Sequence, residues 1–212
     1  MRRPRILLAD DHILLMDAFR KLLEPEFEIV GTVSDGQALI IAASKLLPDL
    51  VVVDLGLPLL NGMDAGRRLK ELLPRTKLLV VTMNEDVEVA IEALREWAAG
   101  FLLKKCAGTE LVYAIRELLA GKSYVTSMVS HQMERAFIRD PRTHTGKILT
   151  ARQREVLQLL AEGRSMKEAA DTLNLTTRTV AFHKYKIMQD FGLHNNVELL
   201  KLAMREHLVL AE

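Results

Sequence analysis

Short apolar runs alternate with longer amphipathic stretches over the first 121 residues of the chain. The apolar runs predict β-strands, and the stretches between them have the spacing of α-helices. Two runs, residues 50–53 and 78–81, are apolar at every position, which indicates strands covered by helices on both faces. The predicted strands are residues 5–9, 28–32, 50–54, 77–82 and 101–103.

The predicted helices between these strands are residues 12–23, 36–46, 63–73, 86–98 and 107–120. Pro25, Pro48 and Pro74 mark helix ends, as proline cannot continue a helix. Strands and helices that alternate in this way form a doubly wound α/β domain, here with a five-stranded parallel sheet. Ligands of such domains bind at the carboxyl ends of the strands.

The pattern changes after Gly121. Residues 122–147 have the composition of a linker, with one amphipathic piece at 129–137 that is compatible with a helix. Beyond residue 148 only helices are predicted, at 151–162, 166–173, 177–191 and 197–206. We therefore expect a domain at 1–121, a linker at 122–147 and a four-helix domain at 148–212.

Charge separates the two halves as well. The chain has 29 Lys and Arg residues against 28 Asp and Glu residues, so its overall charge favours no partner. Residues 1–121 contain 15 basic and 18 acidic side chains, whereas residues 122–212 contain 14 and 10. The opposite net charges predict two domains with different partners.

Targeting signals are not expected. The apolar stretch behind the basic start ends at Asp10, too early for a secretory signal. No run of about 18 uncharged apolar residues predicts a membrane span, and the single Cys106 cannot form an intrachain disulfide. We expect a soluble, cytoplasmic protein with no membrane partner.

Polar side chains stand where the predicted strands end: Asp10, Asp11, Asp54, Thr82 and Lys104. The carboxyl ends of parallel strands share one edge of a sheet, so we expect these residues in one crevice. Three carboxylates a few Å apart repel by about 4 kcal/mol per pair at an effective dielectric constant of about 20, and they require a cation. Such oxygen ligands favour Mg²⁺.

A carboxylate beside such an ion can attack a phosphoryl group while the metal neutralises the transferring oxygens. Asp54 is the best candidate, and Thr82 and Lys104 are placed to contact the oxygens of the acyl phosphate. Alternatively, the three Asp residues are ordinary helix caps, a common role for Asp after a strand. The position of all five residues at one edge favours the phosphoryl site.

These residues lie in segments that resemble the receiver domain of bacterial two-component response regulators. The resemblance covers residues 5–121 and is carried by LADDH (8–12), VDLGLPLLNG (53–62), VTM (81–83) and GFLLK (100–104). It implies a flavodoxin-like fold in which Asp54 is the phosphoacceptor, and it implies a Mg²⁺ ion held by Asp10, Asp11, Asp54 and the backbone carbonyl of Gly56.

The same resemblance implies that Thr82 and Lys104 contact the phosphoryl group and that Phe101 moves with Thr82. A plain core aromatic is the alternative role for Phe101. Trp97 departs from the family pattern, since similar sequences commonly have a small residue or Gly there.

The second half predicts a helix-turn-helix, because the helices at 166–173 and 177–191 are joined by a short turn at Asn174-Leu175. Thr176 is the expected N-cap of the second helix. Helical spacing places Val180 and Ile187 on one face of this helix and Phe182 and Tyr185 on the opposite face.

That outer face combines basic and aromatic residues and has no acid before Asp190, which favours contact with DNA. Arg178 can donate to guanine or phosphate, and Phe182 can contact a thymine methyl. The alternative is that Phe182 and Tyr185 pack on a neighbouring helix. The predicted DNA-binding residues are Lys167, Thr177, Arg178, Thr179, Ala181, Phe182, Lys184, Tyr185 and Lys186.

Residues 148–210 resemble the LuxR-type DNA-binding domain through LTARQREVL (149–157), LAEG (160–163), KEAA (167–170) and TVAFH (179–183). Both halves together look like a response regulator of the NarL/FixJ family. The resemblance implies a sensor histidine kinase and double-stranded DNA as partners. It also implies a homodimer when phosphorylated or DNA-bound, formed through the helix at 197–206; a core role is the alternative for that helix.

We therefore expect a transcription regulator switched by phosphorylation of Asp54, and not a conventional enzyme. A phosphatase or phosphotransferase of similar fold is one alternative, but it needs a second acid two residues after Asp54, where Gly56 stands. A regulator with a degenerate receiver, binding DNA constitutively or binding RNA, is the other. The presence of all five site residues argues against it.

Overall fold

Six parallel strands form one sheet in the part of the chain that the computed structural model describes, which is residues 2–139 and 149–209. The strands are β1 (Arg5–Ala9), β2 (Glu28–Val33), β3 (Leu50–Val53), β4 (Lys77–Thr82), β5 (Gly100–Leu103) and β6 (Tyr124–Val125). Their order across the sheet is β2-β1-β3-β4-β5-β6. The chain order changes direction between β1 and β3, and in this topology the ligand crevice lies at that point.

Helices follow the strands, as the apolar pattern predicts. They are α1 (Ile13–Leu23), α2 (Gly36–Leu46), α3 (Gly62–Leu72), α4 (Val87–Glu96), α5 (Ala107–Leu119) and α6 (Ser127–Arg139). Helices α1 and α5 pack on one face of the sheet, where Phe19 and Leu111 share a buried cluster with Leu8, Val52 and Val81. Because side chains alternate along a strand, the intervening strand residues face the other side, where α2, α3 and α4 contact one another in turn.

The sheet has six strands instead of the expected five. The additional strand, β6, pairs with β5 through Gly100 and Tyr124 and through Phe101 and Val125. A Cβ atom on Gly100 would lie 2.8 Å from the carbonyl oxygen of Tyr124, so only glycine permits this close approach. Two residues are too few to show an alternating pattern, so the sequence by itself predicts a linker at this position.

The helical part of the chain follows the prediction closely. It consists of α7 (Ala151–Ala161), α8 (Met166–Leu173), α9 (Thr177–Phe191) and α10 (Asn196–Arg205). The side chains of Thr150 and Ser165 cap α7 and α8 in reciprocal capping boxes with Gln153 and Glu168. These caps satisfy backbone N–H groups at the helix starts, so the short helices begin where the sequence places them.

Two compact units divide the described residues. The first contains residues 2–57 and 62–139, and the second contains residues 58–61 and 149–209. Part of the expected linker, β6 and α6, thus belongs to the first unit. Among the described helices, none combines the length and the apolar character that crossing a membrane requires.

Candidate functional site

Two buried carboxylates stand side by side at the carboxyl edge of the sheet. Asp10 directly follows β1 and Asp54 directly follows β3, the neighbouring strand, and the backbone N–H of Asp54 donates to the carbonyl of Ala9 at 2.9 Å. Asp10 is 4% exposed and Asp54 is 2% exposed. Asp11 is exposed, yet one ligand atom from each of Asp10, Asp11, His12 and Asp54 lies within 4.8 Å of the others.

Lys104 supplies the positive charge in this cluster. It begins the 3₁₀ turn after β5, and its Nζ lies 2.8 Å from Asp10 Oδ2 and 2.8 Å from Asp54 Oδ2. Burial lowers the pKa of Lys104, but the charges and hydrogen bonds of the two carboxylates outweigh burial and raise it above its ordinary value. The ammonium therefore stays charged and offsets the repulsion between Asp10 and Asp54.

The two oxygens of Asp54 differ in their surroundings. Oδ2 accepts from Lys104 at 2.8 Å, whereas Oδ1 is buried and has no hydrogen-bond partner among the described residues. Burial raises the pKa of Asp54, and Lys104 offsets this shift only in part. A buried carboxylate oxygen without a partner costs free energy, which a phosphoryl group or a cation at this position would recover.

Thr82 ends β4, next to β3, and is fully buried. Its Oγ1 accepts from the backbone N–H of Asn84 at 3.2 Å. Phe101 lies on β5, also fully buried, and Gly56 is half-buried in the turn after Asp54. Within the described residues no hydrogen bond joins the Thr82 hydroxyl to Asp54. The structure thus brings together Asp10, Asp11, Asp54 and Lys104 and places Thr82 at the end of the strand next to β3.

His12 also belongs to this cluster, although the sequence motifs do not predict it as a site residue. Its Nδ1 lies 3.0 Å from Asp10 Oδ1 and 2.8 Å from Asp11 Oδ1, and its side chain is 59% exposed. It occupies the N-cap position of α1, but its side chain makes no capping hydrogen bond. Its position directly after the two acids was the available signal in the sequence.

The donor set suits a divalent cation. Ligand atoms of three carboxylates lie within 4.8 Å of one another, and the buried Oδ1 of Asp54 has no hydrogen-bond partner among the described residues. Carboxylate and carbonyl oxygens are the ligands that Mg²⁺ accepts. The residues present therefore fit the magnesium ion that is expected from the sequence.

The second candidate site is the outer surface of α9. Asn174, in the left-handed conformation with φ of 53°, ends α8, and the Thr176 side chain caps α9 by accepting from Thr179 N–H. Val180 and Ile187 are fully buried, whereas Phe182 and Tyr185 are 63% and 62% exposed. The face opposite the core is therefore open, as the helical spacing predicts.

The other predicted DNA-binding residues lie on or near this open face. Lys167, Thr177, Arg178 and Lys186 are exposed, and Thr179, Ala181 and Lys184 are half-buried. Lys186 forms an ion pair with Asp190 at 2.8 Å. Phe182 makes an edge contact with the His183 ring, whose centroid lies 5.6 Å away.

Comparison with known proteins identifies a family for each part of the chain. The family model described as "Response regulator receiver domain" matches residues 6–116. The one described as "Bacterial regulatory proteins, luxR family" matches residues 147–203. The acidic cluster lies in the first match, and α9 lies in the second.

Similar proteins extend over nearly the whole chain. The oxygen regulatory protein NreC from Staphylococcus aureus (strain JH9) is 31% identical over 97% of this chain and 99% of its own. RcsB from Salmonella enterica serovar Typhimurium, solved on promoter P1flhDC with the phosphomimetic BeF3⁻, is 29% identical over 94% of this chain and 97% of its own, with a TM-score of 0.61. A structure of two RcsB dimers bound to two parallel DNAs shows the same identity and coverage, with a TM-score of 0.59.

Proposed function

Because the chain belongs to the NarL/FixJ family of response regulators, a family of phosphorylation-regulated transcription regulators and not of conventional enzymes, we propose that a phosphoryl group on Asp54 controls its binding to double-stranded DNA. The observation that carries this proposal is the buried Asp54 Oδ1, which has no partner in the described residues although Lys104 holds the other oxygen.

In the proposed reaction an Asp54 oxygen attacks the phosphorus atom of the donor. A bond from oxygen to phosphorus forms, and the bond from phosphorus to the donor breaks, with its electron pair leaving on the donor. The product carries roughly 1.5 to 2 negative charges. Lys104, 2.8 Å from Asp54, is placed to hold this charge. The Thr82 hydroxyl accepts from Asn84, which leaves its proton for a phosphoryl oxygen.

Asp10, Asp11 and Asp54 would hold Mg²⁺ with their carboxylates, and Gly56 would do so with its backbone carbonyl. When bound, the ion supplies positive charge against the oxygens of the transferring group. The protein's own part is positional, since Asp10 and Asp54 are fixed by adjacent strands and buried by the crevice. Phe101, buried on β5, would move when Thr82 turns toward the phosphoryl group.

We assign phosphoacceptance to residues 1–121 and DNA binding to residues 148–212; of the expected linker at 122–147, β6 and α6 belong to the first unit. A sensor histidine kinase would supply the phosphoryl group. The exposed side chains Arg178, Phe182 and Tyr185 support a DNA-contacting surface on α9.

A homodimer formed through α10 is part of the proposal. Leu199, Leu202 and Ala203 of this helix are buried in its own core, whereas Val197 and Leu200 are 63% and 40% exposed. Two apolar side chains outside the core are thus available for a second copy. RcsB, of which dimers on DNA have been solved, supports the same arrangement.

Acetyl phosphate or beryllofluoride with Mg²⁺ provides the test. Mass spectrometry is expected to find one phosphoryl adduct on the wild type and on Asp17→Asn, an exposed carboxylate on α1, but none on Asp54→Ala. Beryllofluoride is expected to change the sedimentation of the wild type and of Asp17→Asn, and their binding to DNA duplexes selected from a random pool. It should change neither property of Asp54→Ala. An adduct on Asp54→Ala, or none on the wild type, would overturn the assignment.

A further inference from the structure

We propose that Thr126 is a positioning residue, which couples a change at Thr82 to α6, the last helix of the first unit. The inference rests on the proposed function, because it takes phosphorylation of Asp54 as the event that moves Thr82. It goes beyond that function by naming the residue through which the sheet moves the helix that follows it.

Thr126 lies between a strand and a helix. It directly follows β6, which pairs with β5, and it directly precedes α6. Its backbone N–H donates to the carbonyl of Phe101 at 3.0 Å, which continues the pairing with β5 by one residue. Its own carbonyl accepts from the N–H groups of Val129 and Ser130, at 3.0 Å each, and so begins the helix. One residue thus belongs to the sheet and to α6 at the same time.

The hydroxyl of Thr126 completes the pairing with β5. A longer β6 would offer a backbone carbonyl to the N–H of Leu103, but the Thr126 carbonyl already accepts two bonds within α6. Thr126 Oγ1 accepts from the Leu103 N–H instead, at 3.2 Å. Both residues are 1% exposed, and a buried N–H without an acceptor costs free energy. A shift of Leu103 must therefore move Thr126 or break this bond.

Leu103 is the neighbour of Thr82 across the sheet. The two residues are partners in the register of β4 and β5. Leu103 also immediately precedes Lys104, whose Nζ lies 2.8 Å from Asp54 Oδ2. Thr82, Leu103 and Thr126 therefore form one row across the sheet, from the proposed phosphoryl site to the start of α6. Hydrogen-bonded rows of this kind carry coupling, because one member cannot move alone without losing a bond.

A second set of contacts connects Thr82 to α6. Helix α6 packs on α4. The turn before α4 is bonded to Thr82, whose hydroxyl accepts from the Asn84 N–H at 3.2 Å. The Asn84 side chain in turn accepts from the backbone N–H of Asp86, the N-cap of α4, at 2.7 Å. A displacement of Thr82 therefore reaches α6 through β5 and through α4.

Three variants isolate the hydroxyl of Thr126. Thr126→Val keeps the branched shape of the side chain but removes the acceptor, and Thr126→Ser keeps the hydroxyl. Thr76→Val is the matched control, because Thr76 is also buried, at 9% exposed, and its hydroxyl donates to the distant carbonyl of Pro48 at 2.9 Å. Thr76 precedes β4, at the edge of the sheet opposite to the acidic cluster, and so lies outside the row.

Hydrogen exchange of the α6 amides at 127–133, with and without beryllofluoride and Mg²⁺, measures the response of the helix. We expect beryllofluoride to change this exchange in the wild type, Thr126→Ser and Thr76→Val and to leave it unchanged in Thr126→Val. All four proteins should still take one phosphoryl group from acetyl phosphate. Affinity for a selected DNA duplex should change at least about fivefold in the first three, the lower end of ordinary coupling between sites, and Thr126→Val should lose most of this change.

A response of Thr126→Val equal to that of the wild type would overturn the role of Thr126. The same holds if Thr126→Ser fails to respond, or if Thr76→Val responds as weakly as Thr126→Val, since a general loss of stability would then explain both. An Asp54 adduct on the wild type with unchanged exchange at 127–133 would overturn this role and leave phosphoacceptance standing. Changed exchange without changed DNA affinity would support the role of Thr126 and contradict the proposed control of DNA binding. A wild type without the adduct would overturn both.

Discussion

Replacing the buried lysine of the acidic cluster is expected to destabilise the protein. Lys104 is 8% exposed and is the partner of two buried carboxylates. Removing one member of a buried charge group leaves the others without compensation, which costs about 3 to 5 kcal/mol. We expect Lys104→Met to lower the free energy of unfolding by about 3 kcal/mol in metal-free buffer at neutral pH, measured by urea denaturation with the fluorescence of Trp97, the single tryptophan.

The adjacent lysine is the matched control. Lys105 is 46% exposed at its side chain and pairs with Glu85, which is also exposed. Exposed pairs contribute about 0 to 1 kcal/mol, so Lys105→Met should change stability little. If Lys104→Met loses no more unfolding free energy than Lys105→Met, the Lys104 ammonium does not stabilise the two buried carboxylates.

His183 predicts a pH effect in the second unit. Burial, together with the nearby charge of Arg152, lowers the pKa of His183 below its ordinary value. The unfolded chain therefore binds this proton more readily, and the free energy of unfolding falls as pH drops through the ordinary pKa of about 6.5. Titration of the His183 ring proton by NMR, assigned with His183→Asn, measures the shift directly.

In urea denaturation, His183→Asn is expected to lose less stability than the wild type between pH 7.5 and pH 5.5. A pKa of His183 at or above the ordinary value for histidine would contradict the partial burial of its ring.

At the scale of elements, the contact between α3 and the end of α4 depends on one glycine. A Cβ atom on Gly66 would lie 2.6 Å from ring atoms of Trp97, which is 4% exposed. Trp97, which departs from the family pattern, thus fits at this position because Gly66 opposite it has no side chain. Gly66→Ala should cost about 1 to 3 kcal/mol through overpacking, measured by urea denaturation with circular dichroism.

Gly108, in the first turn of α5, has nothing within 4 Å of its added Cβ. Gly108→Ala should therefore be neutral or stabilise the protein by up to about 1 kcal/mol. The cost of Gly66→Ala should shrink in a Trp97→Leu background, because the clash is then relieved. If the stability losses of Gly66→Ala and Trp97→Leu simply add in the double variant, a clash with Trp97 is not the cause of the loss in Gly66→Ala.

At the scale of the whole molecule, charge is divided between the parts. The 14 basic and 10 acidic residues after residue 121 include the basic residues of α9, whereas the earlier part is net acidic. If α9 binds DNA, each lysine on a phosphate should contribute about one unit to the slope of log affinity against log salt. Lys184→Ala should reduce that slope by about one, measured with beryllofluoride from 50 to 200 mM salt.

Lys122→Ala removes the same charge from the first unit, where Lys122 is paired with Glu117, and should leave the slope unchanged. Equal slopes for the wild type and Lys184→Ala would remove Lys184 from the proposed DNA contacts.

Local patterns determined most of the elements. The bounds of β1, β4, α2, α8 and α9 agree with the predicted ranges at both ends, because apolar runs, helical spacing and capping residues act over a few neighbouring positions. The motifs also placed the acids after β1 and β3 and the lysine after β5, since topology brings these strand ends to one edge. The sequence by itself thus determined the fold class, the family and the edge that carries the site.

Only the tertiary structure decided the contacts between distant segments. The pairing of β6 with β5, the Trp97 ring over Gly66 and the buried Asp54 oxygen without a partner depend on contacts between residues far apart in the sequence. His12 is next to Asp11 in sequence, but whether its ring turned to the acids or capped α1 depended on the surrounding fold. Periodicity describes which face a residue takes, whereas distances between atoms are set by packing of the whole unit.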